Sequence, residues 1–257
     1  MELMKIEILG CYGNVIGNYR ATSFLVNDVL LIDAGTVTEV LDDKQLSRIK
    51  NVLISHTHID HVKGIFPFAD ELAMLNMEGL KLISVKNVLD IISENLFNNL
   101  IWPDFTIIPS VNNAIINLQE IALEEETLIN NISIKPVLMT HTVYTVGYVV
   151  KENGKGFMFT SDTGPTKRFW EMAREEKGIE FIIADVSFPN RLEDIAKVSG
   201  HMTLSILIEH LDRFGLNNMP VYINHIKPIF LNEILNELKI SDRINIKPLE
   251  QGAILQL

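Results

Sequence analysis

Three histidines and an aspartate fall within six consecutive residues, His56-Thr57-His58-Ile59-Asp60-His61. Imidazole and carboxylate donors at that density suit a divalent transition metal (zinc, manganese or iron) better than calcium, which prefers oxygen alone. From an extended turn His56 and His58 can point the same way. Asp60 and His61 then enter the following turn or helix and can face a second cation. Two cations need roughly seven ligands at near-tetrahedral coordination with one shared, so further donors must lie elsewhere. Three stand out: His141, Asp162 in Ser161-Asp162-Thr163-Gly164, and His225 in Asn224-His225-Ile226-Lys227-Pro228. Each alone reads equally well as a turn residue, since Asp before Thr-Gly is a common turn or cap signal. Beside the histidine run they read as one set. A polar surface turn or a single structural ion is the bland reading of the run, and four potential ligands in six residues are rare by chance.

The elements that must position these residues follow from apolar periodicity and turn residues. Residues 3–9 alternate as a strand and lead into a glycine-punctuated loop over 10–17. Segments 22–26 and 29–32 form a hairpin with Asn27-Asp28 as its turn, and Asp33-Ala34-Gly35-Thr36 closes its second strand. The segment 42–49 reads as a short helix. Residues 51–55 are a short apolar strand that runs directly into the histidines, and the C-terminal end of a strand is a usual place for sites in mixed α/β folds. Gly64 lets the backbone turn closely behind the cluster. Farther on, 65–78 and 86–99 carry helical spacing with a strand at 82–85 between them. Residues 102–113 are loop, broken by Pro103 and Pro109, and 115–118, 120–123 and 132–138 read as strands. The last part alternates: a hairpin of 146–151 and 156–161 around Asn153-Gly154, a helix over 166–176 capped by Thr166, a buried strand at 179–184, a helix over 203–214, a strand at 220–224 and a helix over 231–238. His141, Asp162 and His225 each lie just past a strand, so all could converge on one edge. Hairpins mixed with strand–helix alternation point to sheets packed face to face with helices outside. No repeat, low-complexity tract or linker divides the chain, so residues 1–257 read as a single domain.

The chain has 257 residues, 47% of them apolar, and a mean hydropathy of +0.19, which fits a globular protein rather than a disordered one. No apolar run reaches the roughly 18 residues of a membrane span, so no membrane partner is expected. The opening MELMKIEILGC has the character of neither a signal nor a transit peptide. With Cys11 as the one cysteine, a disulfide framework is impossible, and a cytoplasmic location is the simple expectation. A formal net charge of −11 disfavours a broad electrostatic grip on nucleic acid, which needs a basic patch.

The pattern His-x-His-x-Asp-His, followed by a distant His, Asp and His, resembles the metallo-β-lactamase superfamily. The resemblance implies that His56, His58 and His141 hold one metal, that Asp60, His61 and His225 hold the other, and that Asp162 bridges them. It implies an α/β (α+β) fold, an αββα four-layer sandwich with the site at one edge of its two sheets. The turn Asp33-Ala34-Gly35-Thr36 fits the same family. Within it, His56-Thr-His-Ile-Asp-His-Val-Lys-Gly64, Asp185-Val-Ser-Phe-Pro-Asn190, Ser199-Gly-His-Met-Thr203 and His225-Ile-Lys-Pro228 look like the class II cyclic-nucleotide phosphodiesterases, over about residues 6–240. The Ser-Phe-Pro-Asn and Gly-His-Met-Thr pieces are the discriminating ones. Asp185 stands where related enzymes often carry glutamate, which shortens its reach, and residues 66–130 do not match that family.

The expected reaction is hydrolysis of a phosphodiester at two divalent ions, zinc first and manganese or iron as alternatives. The substrate is a small 3′,5′-cyclic nucleotide (cAMP or cGMP), cleaved to the 5′-monophosphate. His201 is the candidate general acid for the leaving oxygen, Asp185 the residue that orients it through the other ring nitrogen, and Asp60 belongs with them as both ligand and catalytic residue. The alternative for His201 is a residue before a helix with no chemistry, or a metal ligand. Lys227 either stabilises phosphate or faces solvent. Thr57 and Thr163 are candidate supporting hydroxyls, and Phe188 and Asn190 candidate lining for a base. His210 reads as an ordinary helix residue, and Trp102 and Phe105 as core, with a homodimer contact as their other reading. Rival functions are a tRNA 3′-processing nuclease, which shares the metal residues and a histidine at position 201, and a hydrolase of thioesters, lactones or lactams, which has no need of an acid at His201. A non-catalytic binding protein would tolerate lost ligands, and none of the seven is lost.

Overall fold

A computed structural model describes residues 3–77 and 79–257. The first half of the chain builds one sheet. Strand β1 (Lys5–Gly10) pairs antiparallel with β2 (Ser23–Val26), and β2 with β3 (Leu30–Ile32). The turn between β2 and β3 is Asn27-Asp28, with φ of 49° and 61°; Asn and Asp enter the left-handed region more readily than other side chains, and such turns match the twist of the strands they join. Helix α1 (Asp43–Leu46) follows, with Asp42 and Gln45 forming a reciprocal capping box. Strand β4 (Asn51–Leu53) then joins β3 in parallel. Helices α2 (Ile59–Val62) and α3 (Ile65–Met74) lead to β5 (Leu80–Ser84), and α4 (Lys86–Asn95) leads to β6 (Ile116–Glu120), both strands adding in parallel.

The second half builds the other sheet. Strands β7 (Thr127–Ile129), β8 (Ile132–Met139), β9 (Thr145–Glu152) and β10 (Lys155–Phe159) form an antiparallel meander. Helix α5 (Lys167–Glu175) connects to β11 (Ile179–Asp185), α6 (Glu193–Val198) and α7 (Leu204–Arg213) to β12 (Val221–Asn224), and α8 (Leu231–Ile240) to β13 (Ile246–Pro248). These strands run parallel from β10 outward. The last strand, β14 (Ile254–Gln256), crosses back and pairs with β1. The orders are β14-β1-β2-β3-β4-β5-β6 and β13-β12-β11-β10-β9-β8-β7.

The two sheets face each other across an apolar core. Phe24 of β2 meets Phe159 of β10 edge-on at 5.2 Å, and the Tyr148 hydroxyl of β9 donates to the Ile54 carbonyl beyond β4 at 2.7 Å. Each such aromatic side chain adds about 1.5–3 kcal/mol by leaving water. Helices cover both outer faces: Phe68, Leu72, Val88 and Ile92 on the first, and Phe169, Trp170, Leu207, Leu211 and Ile234 on the second. The result is the αββα sandwich. Among the described residues no helix is long and apolar enough to cross a membrane.

Several expected elements differ. Residues 120–123 are not a separate strand: β6 runs on to Glu120 and the chain then turns, with Glu124 at φ 58°. The helix expected over 65–78 ends at Met74, and position 78 lies outside the described residues. Thr166 occupies the cap position of α5, but its hydroxyl accepts from the Thr140 N–H at 2.9 Å instead of capping the helix. The three-residue strands β7, β13 and β14 and the six-residue helix α6 carry too little periodicity to be seen in sequence.

Candidate metal centre

All seven expected ligands meet at one edge of the sandwich, because each follows the C-terminal end of a strand that runs toward that edge. His56 and His58 leave β4 in extended backbone, with His58 (φ −61°, ψ 144°) at the cap position of α2, and the single turn of α2 presents Asp60 and His61. The second sheet supplies His141 after β8, Asp162 after β10 and His225 after β12. Asp33, Ser161 and His225 hold left-handed backbones (φ 53°, 57° and 62°), a conformation that costs non-glycine residues of order 1 kcal/mol or more and collects at functional sites. Two glycines make the approach possible. A Cβ on Gly13 would lie 2.7 Å from His225 Nδ1, and one on Gly200 (φ 68°) would lie 2.8 Å from His141 Nδ1.

The donors fall into two groups that share a centre. His56, His58, His141 and Asp162 bring ligand atoms within 4.8 Å of one another, as do Asp60, His61 and His225. Asp162 lies between: Oδ2 is 3.6 Å from His56 Nε2, 4.0 Å from His141 Nε2 and 3.2 Å from His225 Nε2, while Oδ1 is 3.3 Å from His61 Nε2. His225 Nε2 is also 3.3 Å from Asp60 Oδ2. The residues fit a pair of cations on an observation independent of their spacing. His56 Nε2, His61 Nε2 and Asp162 Oδ1 are buried without a hydrogen-bond partner, and buried polar atoms are rarely left so. His58 Nδ1 and His141 Nε2 face each other at 3.2 Å, a convergence that two lone pairs tolerate when a cation lies between them.

The surroundings assign the other ring nitrogens. His61 Nδ1 lies 2.7 Å from Asp33 Oδ2, His56 Nδ1 3.0 Å from Ser55 Oγ, His141 Nδ1 2.7 Å from the Gly200 carbonyl, and His225 Nδ1 2.9 Å from Ser187 Oγ. Burial, followed by the field of His61, pushes His56 well below the usual imidazole range, which keeps it neutral and able to offer a lone pair. Burial pushes His61 the same way, but Asp162 and Asp33 outweigh it and hold the ring well above that range. Burial opposes ionisation of Asp162, and His225 and His61 overcome it, so its carboxyl stays well below the carboxylate range. His56 and Asp162 are thus already in the forms that bind a cation, whereas His61 would release a proton on taking one.

His201 stands beside this centre. Its ring lies 5.0 Å from that of His141 and 5.2 Å from that of His225, centroid to centroid, and it can join Asp162 and His225 around a common point. Its Nδ1 is 2.7 Å from Asp185 Oδ2. Burial lowers its proton affinity, and Asp185 outweighs burial and raises it. Phe188 packs against the His201 ring at 5.8 Å, and Lys227 Nζ lies 5.3 Å from the Phe188 centroid. Thr163 supports Asp185 through its backbone N–H at 3.0 Å, while its hydroxyl bonds the Gly164 carbonyl. Asn190 is engaged elsewhere: its side-chain oxygen accepts from the Ser205 N–H at the start of α7. His210 is a buried helix residue whose Nδ1 donates to the Ile206 carbonyl, and Trp102 packs on Phe66 in the core. Ser55 and Ser187 are site-supporting side chains that sequence reasoning missed, and Asp33, read there only as part of a turn, is a third. Asp33 and Ser55 lie 28 and one residue from the imidazoles they touch, and only a fully buried Asp after a strand hints at them.

A family model described as a beta-lactamase superfamily domain matches residues 28–226. A Yersinia pestis protein described as "Probable 3′,5′-cyclic-nucleotide phosphodiesterase" is 25% identical over 240 residues, covering 79% of this chain and 67% of that one. Among solved structures, the metallo-beta-lactamase fold protein YhfI from Bacillus subtilis superposes with a TM-score of 0.80 at 15% identity, with full coverage of both chains. Unliganded yeast PDE1 superposes with a TM-score of 0.81 at 17% identity, again with full coverage. At such identities the two structures show a common fold. The family match spans most of the sequence and takes in all seven clustered donors, Asp162 and His225 included, so that the chain carries the donor set of a dinuclear metal hydrolase: it belongs to the β-lactamase superfamily.

Proposed function

We propose that the protein hydrolyses a phosphodiester, with a 3′,5′-cyclic nucleotide as substrate and the nucleoside 5′-monophosphate as product. His56, His58 and His141 would hold one divalent ion, Asp60, His61 and His225 the other, and Asp162 would reach both; zinc suits the histidine-rich set. Two such ions lower the pKa of a shared water and neutralise the non-bridging phosphoryl oxygens. The reading rests on one observation above all, the placement of His201. Its Nδ1 is held by Asp185 at 2.7 Å, which leaves Nε2 free, and its ring is packed between the centre and Phe188. A ribose 3′-oxygen is a poor leaving group and needs a proton as its bond to phosphorus breaks. His201 is the group positioned to deliver it, and Asp185 keeps the ring in the required orientation. Lys227, whose Nζ lies over the buried Phe188 ring, offers a positive charge for phosphate. A thioester or lactone hydrolase has no comparable use for a buried His–Asp pair at this place.

The test is a substrate panel with protein loaded in turn with zinc, manganese and iron(II). It compares 3′,5′-cAMP, 3′,5′-cGMP, 2′,3′-cyclic nucleotides, a nitrophenyl phosphodiester, a thioester and precursor tRNA. Turnover of a 3′,5′-cyclic nucleotide well above the others supports the reading. Turnover of precursor tRNA or of the thioester alone overturns it.

A further inference from the structure

Beneath the ligands lie two side-chain pairs of the same construction, one in each sheet. Asp33 follows β3 and Ser55 follows β4; Asp185 ends β11 and Ser187 follows two residues later. All four are fully buried. In the first pair Ser55 Oγ is 2.7 Å from Asp33 Oδ2; in the second Ser187 Oγ is 2.6 Å from Asp185 Oδ1. We propose that these two aspartate–serine pairs set the tautomers of four imidazoles, and that Ser55 and Ser187 are thereby positioning residues for the metal centre.

Proton counting carries the assignment. A carboxylate only accepts, and a serine hydroxyl has one proton. That proton goes to the aspartate in each pair, so the serine oxygen is left as an acceptor. His56 Nδ1, 3.0 Å from Ser55 Oγ, and His225 Nδ1, 2.9 Å from Ser187 Oγ, must therefore be the protonated nitrogens. A longer contact of 3.4 Å from Ser161 Oγ to His56 Nδ1 does not alter this, since Ser161 can accept as well. The same aspartates take a second imidazole directly: Asp33 Oδ2 from His61 Nδ1 and Asp185 Oδ2 from His201 Nδ1, each at 2.7 Å. Ser187 Oγ is 3.1 Å from His201 Nδ1, but the single N–H there is committed to the nearer carboxylate. In His56, His61 and His225, once each ring is neutral as a ligand must be, the outcome is one lone pair, on Nε2, the atom facing Asp162.

The serine is what lets one carboxylate serve two rings. Asp185 reaches His201 itself and reaches His225 through Ser187, although the rings stand 5.2 Å apart. This couples a candidate ligand to the candidate acid, and that last role of His201 rests on the proposed phosphodiesterase reading. The tautomer assignment does not.

The experiment reads protons and metal rather than turnover. Zinc-loaded protein with 15N-labelled histidine is examined by long-range 1H–15N correlation, alongside zinc affinity by chelator competition. The expected spectrum has Nδ1–H on His56, His61, His225 and His201. Ser187→Ala should abolish the slowly exchanging His225 Nδ1–H, keep that of His201, and weaken one zinc equivalent about 10- to 100-fold, the usual effect of removing a partner behind a ligand. Ser187→Thr, which keeps the hydroxyl, should restore both readouts. Ser55→Ala should act on His56 and spare His61. A folded Ser187→Ala protein with unchanged zinc affinity and an unchanged His225 signal overturns the proposal, as does equal loss in the Ala and Thr variants. Cyclic-nucleotide inactivity of a wild-type protein that shows the expected spectrum would sink the substrate reading alone.

Discussion

His201 is where substrate choice and metal chemistry part. It is held by Asp185 and packed on Phe188, and it touches the candidate ligands only by ring contact. Replacing it should therefore leave the donors of both cations in place. His201→Ala is expected to bind the same two equivalents of metal and to lose about 10²- to 10⁴-fold in kcat toward a cyclic nucleotide, the range for a general acid. Toward a nitrophenyl ester, whose leaving group needs no proton, the loss should be under tenfold. Equal losses on both substrates would argue against an acid role. Cys11 offers a second residue-scale prediction. Burial, with Glu250 adding to it, pushes its thiol up to about 12, and thiolate is the reactive form. A thiol reagent at pH 8 should label native protein at least about 100-fold more slowly than protein in denaturant. Rapid labelling in the native state would show that the strand edge around Cys11 opens.

At the scale of elements, the site depends on turns in which glycine is the residue that fits. Gly200 combines φ of 68° with a carbonyl that receives His141 Nδ1 at 2.7 Å, and it immediately precedes His201. A methyl there would meet His141 Nδ1 at 2.8 Å. Gly200→Ala should displace a candidate ligand and the candidate acid together, lowering zinc affinity in a chelator competition by at least about tenfold and turnover by more. Retained zinc affinity would mean that the turn can relax. The clustering of the candidate ligands was legible in sequence because they follow apolar runs, and strand ends gather at one edge in sheets of this type. The hairpin at Asn27-Asp28 and the helix capped by Thr203 were legible for similar local reasons. Asp33 was visible only as part of a turn, because its partners Ser55 and His61 belong to the next strand and helix, and no local spacing reports a contact across strands. The short β7, β13 and β14 are edge or near-edge strands held by their neighbours, so tertiary pairing rather than pattern defines them.

At the scale of the molecule, the site joins the two halves of the sandwich. His56, His58, Asp60 and His61 come from the first sheet's side, and His141, Asp162 and His225 from the second. Away from the site the halves are held by the apolar core, and within the second half an ion cluster ties a helix end to the sheet: Glu176, after α5, pairs with Lys135 of β8 and Lys151 of β9. Burial pushes the Glu176 carboxyl up, but the two lysines outweigh it and leave it below the usual range. A depressed folded value means that the stabilisation is present above the unfolded value and is lost as pH falls through the folded one. Glu176→Gln should thus cost about 0.5–1 kcal/mol in urea unfolding at pH 7, discounted for its partial exposure, and the gap to wild type should close below the carboxylate range. A gap that widened in acid would reverse the sign. Cations at the edge have the larger effect. Seven donors from both halves converge there, several of them buried without a partner, so a bound ion acts across the interface between sheets and binds only when both are in place. Linkage then sets the size: at free metal about 1,000 times its dissociation constant, each site adds about 4 kcal/mol. Chelation should lower Tm by about 8 °C or more for a chain of this size. Zinc should restore it in the wild type, and restore it only partly in Asp162→Asn, whose side chain reaches both groups. Full recovery by that variant, or a Tm indifferent to chelation, would show that the two halves close without help from the centre.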